Sequence, residues 1–233
     1  MKTALVASLI GLTLLPAAEA GNIKGTVRAK GPVGEADSAG GGNYQSRRYK
    51  FVERIDYDQL TDFVVYVDQQ LPGPRPAPPP EPAVVMQKDA TFVPHVLPVL
   101  VGTTVAWPNE DEIYHNVFSV SEARAFNLDY YKRGQPGKIV VFDKPGRVDV
   151  FCAIHAKMNC IILVLENPFF AVADGKGRFV IRNVPPGTYR LRAWHERLPS
   201  QFKEVAVPDG EGVVEVDFTL GLSELPKPQE RSS

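Results

Sequence analysis

Hydrophobic residues in this chain fall mostly at alternate positions or in short apolar runs, and both patterns predict β-strands. Residues 22–29, NIKGTVRA, alternate β-branched and polar side chains, and residues 63–67, FVVYV, form a short run dense in β-branched and aromatic residues. Further strands are predicted over 83–87, 96–101, 103–107, 117–120, 138–142, 148–151 and 161–165, with Gly102, Pro108-Asn109, Gly137 and Pro145-Gly146 between them as turns. Short strands at this spacing indicate an antiparallel sandwich or barrel, so the expected class is all-β. Residues 121–135 lack clean alternation and are read as holding a short helix. Further on, Phe179 and Ile181 alternate, as do Tyr189, Leu191 and Ala193, around turns at Asp174-Gly175 and Pro186-Gly187.

Composition shifts divide the chain. Residues 1–20 carry an early lysine, an apolar run and a small-x-small ending at Ala18-Glu19-Ala20, which is the pattern of a secretory signal peptide. No later run approaches the about 18 apolar residues that a membrane-spanning helix needs, so no membrane span is expected and the bacterial periplasm is the expected location. Residues 31–46 are rich in glycine and small polar residues and read as a loop, while 47–60 show no clear element. A proline-rich linker, 73–82, separates an N-terminal β segment, 21–72, from the strand-rich stretch 83–166. A third β segment covers 167–222, and 223–233 is a polar tail.

The chain has 233 residues, 44% of them hydrophobic, enough for a substantial core, and its formal net charge of −1 leaves no basic surplus for nucleic-acid binding. It has two cysteines, Cys152 and Cys160. For an exported protein the plain reading of such a pair is a disulfide. Here that bridge would draw Cys152 away from His155 and Met158, with which it forms the pattern Cys-x-x-His-x-x-Met between two strand-like runs.

That pattern carries the candidate chemistry. A thiolate, an imidazole and a thioether in one tight loop can converge on one metal ion, and a second imidazole stands at His115, just ahead of the run starting at Val117. Two imidazoles, one thiolate and a weak axial thioether form the ligand set of a blue-copper electron-transfer centre. The two remaining histidines, His95 and His195, have no place in the pattern and are read as structural.

The glycine-led strand Gly102-Thr-Thr-Val-Ala-Trp107-Pro-Asn, the pair His115-Asn116, the Pro145-Gly146 turn before Cys152 and the short ligand loop together resemble the cupredoxin family over about 83–166, amicyanin-like in the loop. The resemblance implies a Greek-key sandwich holding one type 1 copper ion. His115, Cys152 and His155 would be its equatorial ligands and Met158 the axial one, with Asn116 tying the two ligand loops together. Residues after 166 resemble the second half of a transthyretin-type, carboxypeptidase regulatory-like sandwich, a fold related to carbohydrate-binding modules. Its first half would come from the 21–72 segment, with the copper sandwich inserted into, or docked on, the result.

The expectation is a periplasmic electron-transfer protein that works with a redox partner protein. No nucleophile motif, open coordination position or second metal site suggests an enzyme. Two other readings use the same residues differently. A copper carrier or sensor would release the ion. A metal-free module would bind carbohydrate or protein, with Tyr189 and Trp194 as the aromatics to inspect.

Overall fold

The computed structural model describes residues 20–31, 56–210 and 212–221. Apart from edge residues, the expected signal peptide, the glycine-rich loop and the polar tail lie outside them. The fold is all-β. Among the described residues, two strands precede the proline-rich stretch, β1 (Gly21–Ala29) and β2 (Val64–Val67). Next come β3 (Ala83–Val84), β4 (Met86–Lys88), β5 (Thr91–Val93), β6 (Val96–Leu100), β7 (Thr103–Trp107) and β8 (His115–Val120). They are followed by β9 (Ala125–Tyr131), β10 (Lys138–Phe142), β11 (Gly146–Phe151) and β12 (Asn159–Leu165). The last are β13 (Phe170–Val172), β14 (Arg178–Val184), β15 (Gly187–His195), β16 (Leu198–Val207), β17 (Val213–Glu215) and β18 (Phe218–Leu220).

Strands β3 to β12 make one sandwich. Its larger sheet runs β6-β12-β11-β8-β9 and its smaller one β10-β7-β3, with β4 and β5 as a separate hairpin. Parallel pairs (β6 with β12, β3 with β7) stand among antiparallel ones, so the chain crosses between the two sheets and does not run as a simple meander. Between the sheets lie Val99, Val105, Trp107, Val117, Phe142, Val148, Val150 and Ile162, all nearly or fully buried.

The remaining strands form a second pair of sheets. In one, β1 lies between β14 and β17 and also pairs β18; in the other, the order is β13-β2-β15-β16. Ile23, Val27, Phe63, Val65, Phe179, Ile181, Leu191 and Phe218 fill the space between them. Both ends of the chain therefore contribute to one core.

Strand β12 joins the two bodies, and its sequence says why. Cys160, Ile162 and Val164 point into the first sandwich, while Ile161, Leu163 and Leu165 point the other way, onto Val64, Tyr66 and Trp194. Both faces are buried, so the strand reads as a continuous apolar run instead of an alternation.

The helix expected within 121–135 is a strand, β9. Phe126 and Leu128 pack against the core, but the next inward residue is Tyr131, not Tyr130. The phase slips where β9 carries an extra residue against β8 and Asp129 takes a positive φ of 54°. This bulge broke the alternation and so hid the strand.

Candidate metal centre

Strands β11 and β12 are paired up to Phe151 and Asn159, and the turn between them carries Cys152, His155 and Met158. Its backbone closes on itself. The Cys152 N–H donates to the Met158 carbonyl at 3.1 Å, and the Met158 N–H donates to the His155 carbonyl at 2.9 Å. Next to β11 lies β8, whose first residue is His115. The sheet thus brings the end of one strand and the start of another to the same edge of the sandwich.

There the side chains meet. His115 Nδ1 lies 3.0 Å from His155 Nδ1. Cys152 Sγ lies 3.6 Å from His155 Nδ1 and 4.0 Å from His115 Nδ1. A first-row divalent ion held at about 2.0 Å by imidazole nitrogen and about 2.3 Å by thiolate sulfur keeps such donors roughly 3–4 Å apart. The spacing therefore fits one ion at the centre of the triangle. His115 and Cys152 are buried at 0% and 5% exposure, and His155 alone of the three reaches partly to solvent.

Met158 belongs to the same loop, and its side chain is 1% exposed within the sandwich core that also holds Cys152. Asn116 is buried on β8, but its Nδ2 donates to Asn127 Oδ1 on β9 at 2.8 Å. That bond braces β8 against β9, where a bond to the Cys152–Met158 loop had been expected.

A further contact to the His115 ring comes from Asp111, which was not singled out from sequence. Asp111 Oδ2 lies 2.7 Å from His115 Nε2. The same carboxylate accepts the backbone N–H groups of Asp89 at 2.8 Å and Ala90 at 2.9 Å. Burial pushes the Asp111 carboxyl up, but the Ala90 and Asp89 amides and the His115 ring outweigh it and hold the group below its ordinary value. The signal was present as an acid one helical-turn spacing before His115. It was masked by the carboxylates of Glu110 and Glu112 on either side.

Below the site, Tyr131 pairs with His115 across β8 and β9, and its hydroxyl donates to the Trp107 carbonyl at 2.6 Å while accepting from Gln87 Nε2 at 2.6 Å. Burial raises this phenol to about 12, so it stays protonated.

The other thiol and histidines stand apart. Both cysteines are free, and burial, with Asp149 nearby, pushes the Cys160 thiol well above its ordinary value. His95 touches the Asn159 carbonyl through Nδ1 at 3.2 Å and Glu196 through Nε2 at 3.1 Å, tying the start of β12 to the second sandwich. His195 is buried against Phe63, with ring centroids 4.9 Å apart.

Comparison with known proteins gives partial similarities. The family model for polysaccharide lyase family 4, domain II, matches residues 166–213. Among solved structures, a copper(I) amicyanin variant is similar at 26% identity over 36% of this chain and 82% of its own, with a TM-score of 0.34. A copper-containing nitrite reductase from Thermus scotoductus SA-01 is similar at 30% identity over 42% of this chain and 25% of its own, with a TM-score of 0.35. A purple cupredoxin from Nitrosopumilus maritimus is similar at 24% identity over 36% of this chain and 99% of its own, with a TM-score of 0.32. No curated protein matches. No helix among the described residues is long and apolar enough to cross a membrane.

Proposed function

We propose that this protein is a periplasmic type 1 copper electron-transfer protein. The observation that carries the proposal is the convergence of His115 Nδ1, His155 Nδ1 and Cys152 Sγ at ligand spacing on two adjoining strands. The His115 and His155 imidazoles and the Cys152 thiolate would hold the copper, and Met158, buried in the same loop, would add a weak thioether. When bound, copper supplies a one-electron couple. The chain holds the donors in one arrangement for both oxidation states, because the closed Cys152–Met158 turn and the β8 edge leave them little freedom.

Electrons enter and leave through the half-buried His155 ring, beside which Ile154 is about half exposed; a redox partner protein docks there. The protein acts as a carrier of electrons and not as an enzyme. The second sandwich, built from described residues of the segments 21–72 and 167–222, is one folding unit into which the copper sandwich is inserted, and it clamps β12 from behind. Termini that lie close together at a domain surface permit such an insertion.

The visible absorption and electron paramagnetic resonance spectra of the copper-loaded protein test this. An intense thiolate-to-copper band with one copper per chain is expected. Copper uptake without that band, or no uptake, would contradict it.

A further inference from the structure

We propose that Asp111 is a positioning residue that holds His115 as its Nε2–H tautomer, keeps the Nδ1 lone pair aimed at the Cys152–His155 pair, and thereby lowers the reduction potential of the centre. This rests on the copper reading above. The contact is short, 2.7 Å, and His115 is fully buried, so no bulk water competes for its Nε2–H. A carboxylate only accepts hydrogen bonds, so the ring nitrogen facing it must carry a proton, and in the neutral ring the opposite nitrogen is left with its lone pair.

The carboxylate is itself fixed from several sides. Asp89 and Ala90, both at a φ of 53°, form the turn between β4 and β5 and donate their N–H groups to its two oxygens. The Asp111 N–H donates to Asn109 Oδ1 at 2.8 Å, and Asn109 Nδ2 donates to the Tyr131 carbonyl at 2.9 Å. Since Tyr131 pairs with His115, the bracket closes on the ring it orients. Neighbouring acids are engaged elsewhere: Glu110 with Lys88 at 3.6 Å and Glu112 with Arg133 at 3.2 Å. Asp111 alone of the three is placed on the ring.

The consequence for redox chemistry is electrostatic. A carboxylate on the far nitrogen makes the imidazole a more basic ligand and places negative charge beside the centre, both of which favour the more positive oxidised state. A purely structural Asp111, tying loop to turn, would affect folding and leave the potential alone.

The test compares wild type, Asp111→Asn and the outward-facing control Glu112→Gln. In Asp111→Asn the amide oxygen keeps a backbone N–H bond and the amide nitrogen turns its hydrogens toward His115 Nε2, favouring the Nδ1–H tautomer. Nitrogen-15 spectra of the metal-free proteins should show His115 as Nε2–H in wild type and in Glu112→Gln, and shifted toward Nδ1–H in Asp111→Asn. Affinity for oxidised copper should fall about 10- to 100-fold in Asp111→Asn. Each tenfold loss confined to the oxidised state raises the potential by about 59 mV. An Nδ1–H tautomer in wild type would overturn the inference, and so would an Asp111→Asn protein that loses stability while keeping the wild-type tautomer and potential. Should Asp111→Asn fail to fold, the wild-type tautomer still decides. Failure of the copper reading is seen separately, as a missing thiolate band in wild type, and leaves the metal-free tautomer measurement valid.

Discussion

The backbone N–H of Cys152 donates to the carbonyl of Met158 at 3.1 Å, so the two residues that begin and end the Cys-x-x-His-x-x-Met loop are pinned to each other by the chain itself. Ligand roles within that loop are separable by mutation. Cys152→Ser should abolish the thiolate-to-copper band, because a hydroxyl does not replace a thiolate as ligand. Cys160→Ala should keep the band and cost about 1–2 kcal/mol for the small cavity left on the inner face of β12. Absorption spectra and urea melts of both variants check this; equal loss of colour in both would overturn the assignment of Cys152.

Met158→Leu removes the thioether at nearly constant volume and should cost less than about 1.5 kcal/mol. Copper should stay bound and the potential should rise, since a sulfur that favours the oxidised ion has gone. Voltammetry of the variant is the check, and an unchanged potential would mean that Met158 does not face the centre.

The seam between the sandwiches makes a prediction about cooperativity. Leu163, 5% exposed, faces Val64, Tyr66 and Trp194 across it, so Leu163→Ala should destabilise the protein by roughly 2–4 kcal/mol while leaving the copper spectrum intact. Residues 167–222 made alone lack β1 and β2, each of which lies between two other strands of its sheet. That fragment should show no cooperative thermal transition; a sharp one would refute the inserted arrangement.

Acid dependence should be visible at Asp174. Hydrogen bonds from the Arg178 side chain and backbone, and from the Lys176 N–H, lower this carboxyl from 3.8 to about 2. A group depressed on folding stabilises the folded state above its unfolded value, and the contribution is lost as pH falls through the folded one. Part of the fall in urea midpoint between about pH 4 and pH 2 should therefore disappear in Asp174→Asn, which should also be less stable than wild type at neutral pH.

Much of this was legible in the sequence where one face of a strand is buried and the other is not. The pattern of 103–107 matched β7 and that of 138–142 matched β10. Where a strand serves two partners, the pattern misled. The run 83–87 is two short strands: Ala83–Val84 pairs with β7, and Met86–Lys88 pairs with β5 after Val85. The β9 bulge had the same effect. At the site, Cys152, His155 and Met158 were readable as a group because they share one short loop, and the structure brings His115 to Cys152 and His155. The Asp111 contact with His115 was not readable, since which of three adjacent acids turns inward depends on the Asp89-Ala90 turn, a feature remote in sequence. The bond from Asn116 to Asn127 was not legible for a related reason: Asn127 lies on the strand that the sequence hid.

The central claim is that the chain keeps its copper and passes electrons through it. Cyclic voltammetry of the copper-loaded full chain, with metal content measured before and after repeated cycling in the presence of a competing chelator, tests this most directly. A reversible one-electron wave with the copper-to-protein ratio held near one is the predicted result. An irreversible wave, with copper lost to the chelator on reduction, would contradict it and identify the protein as a carrier of the ion.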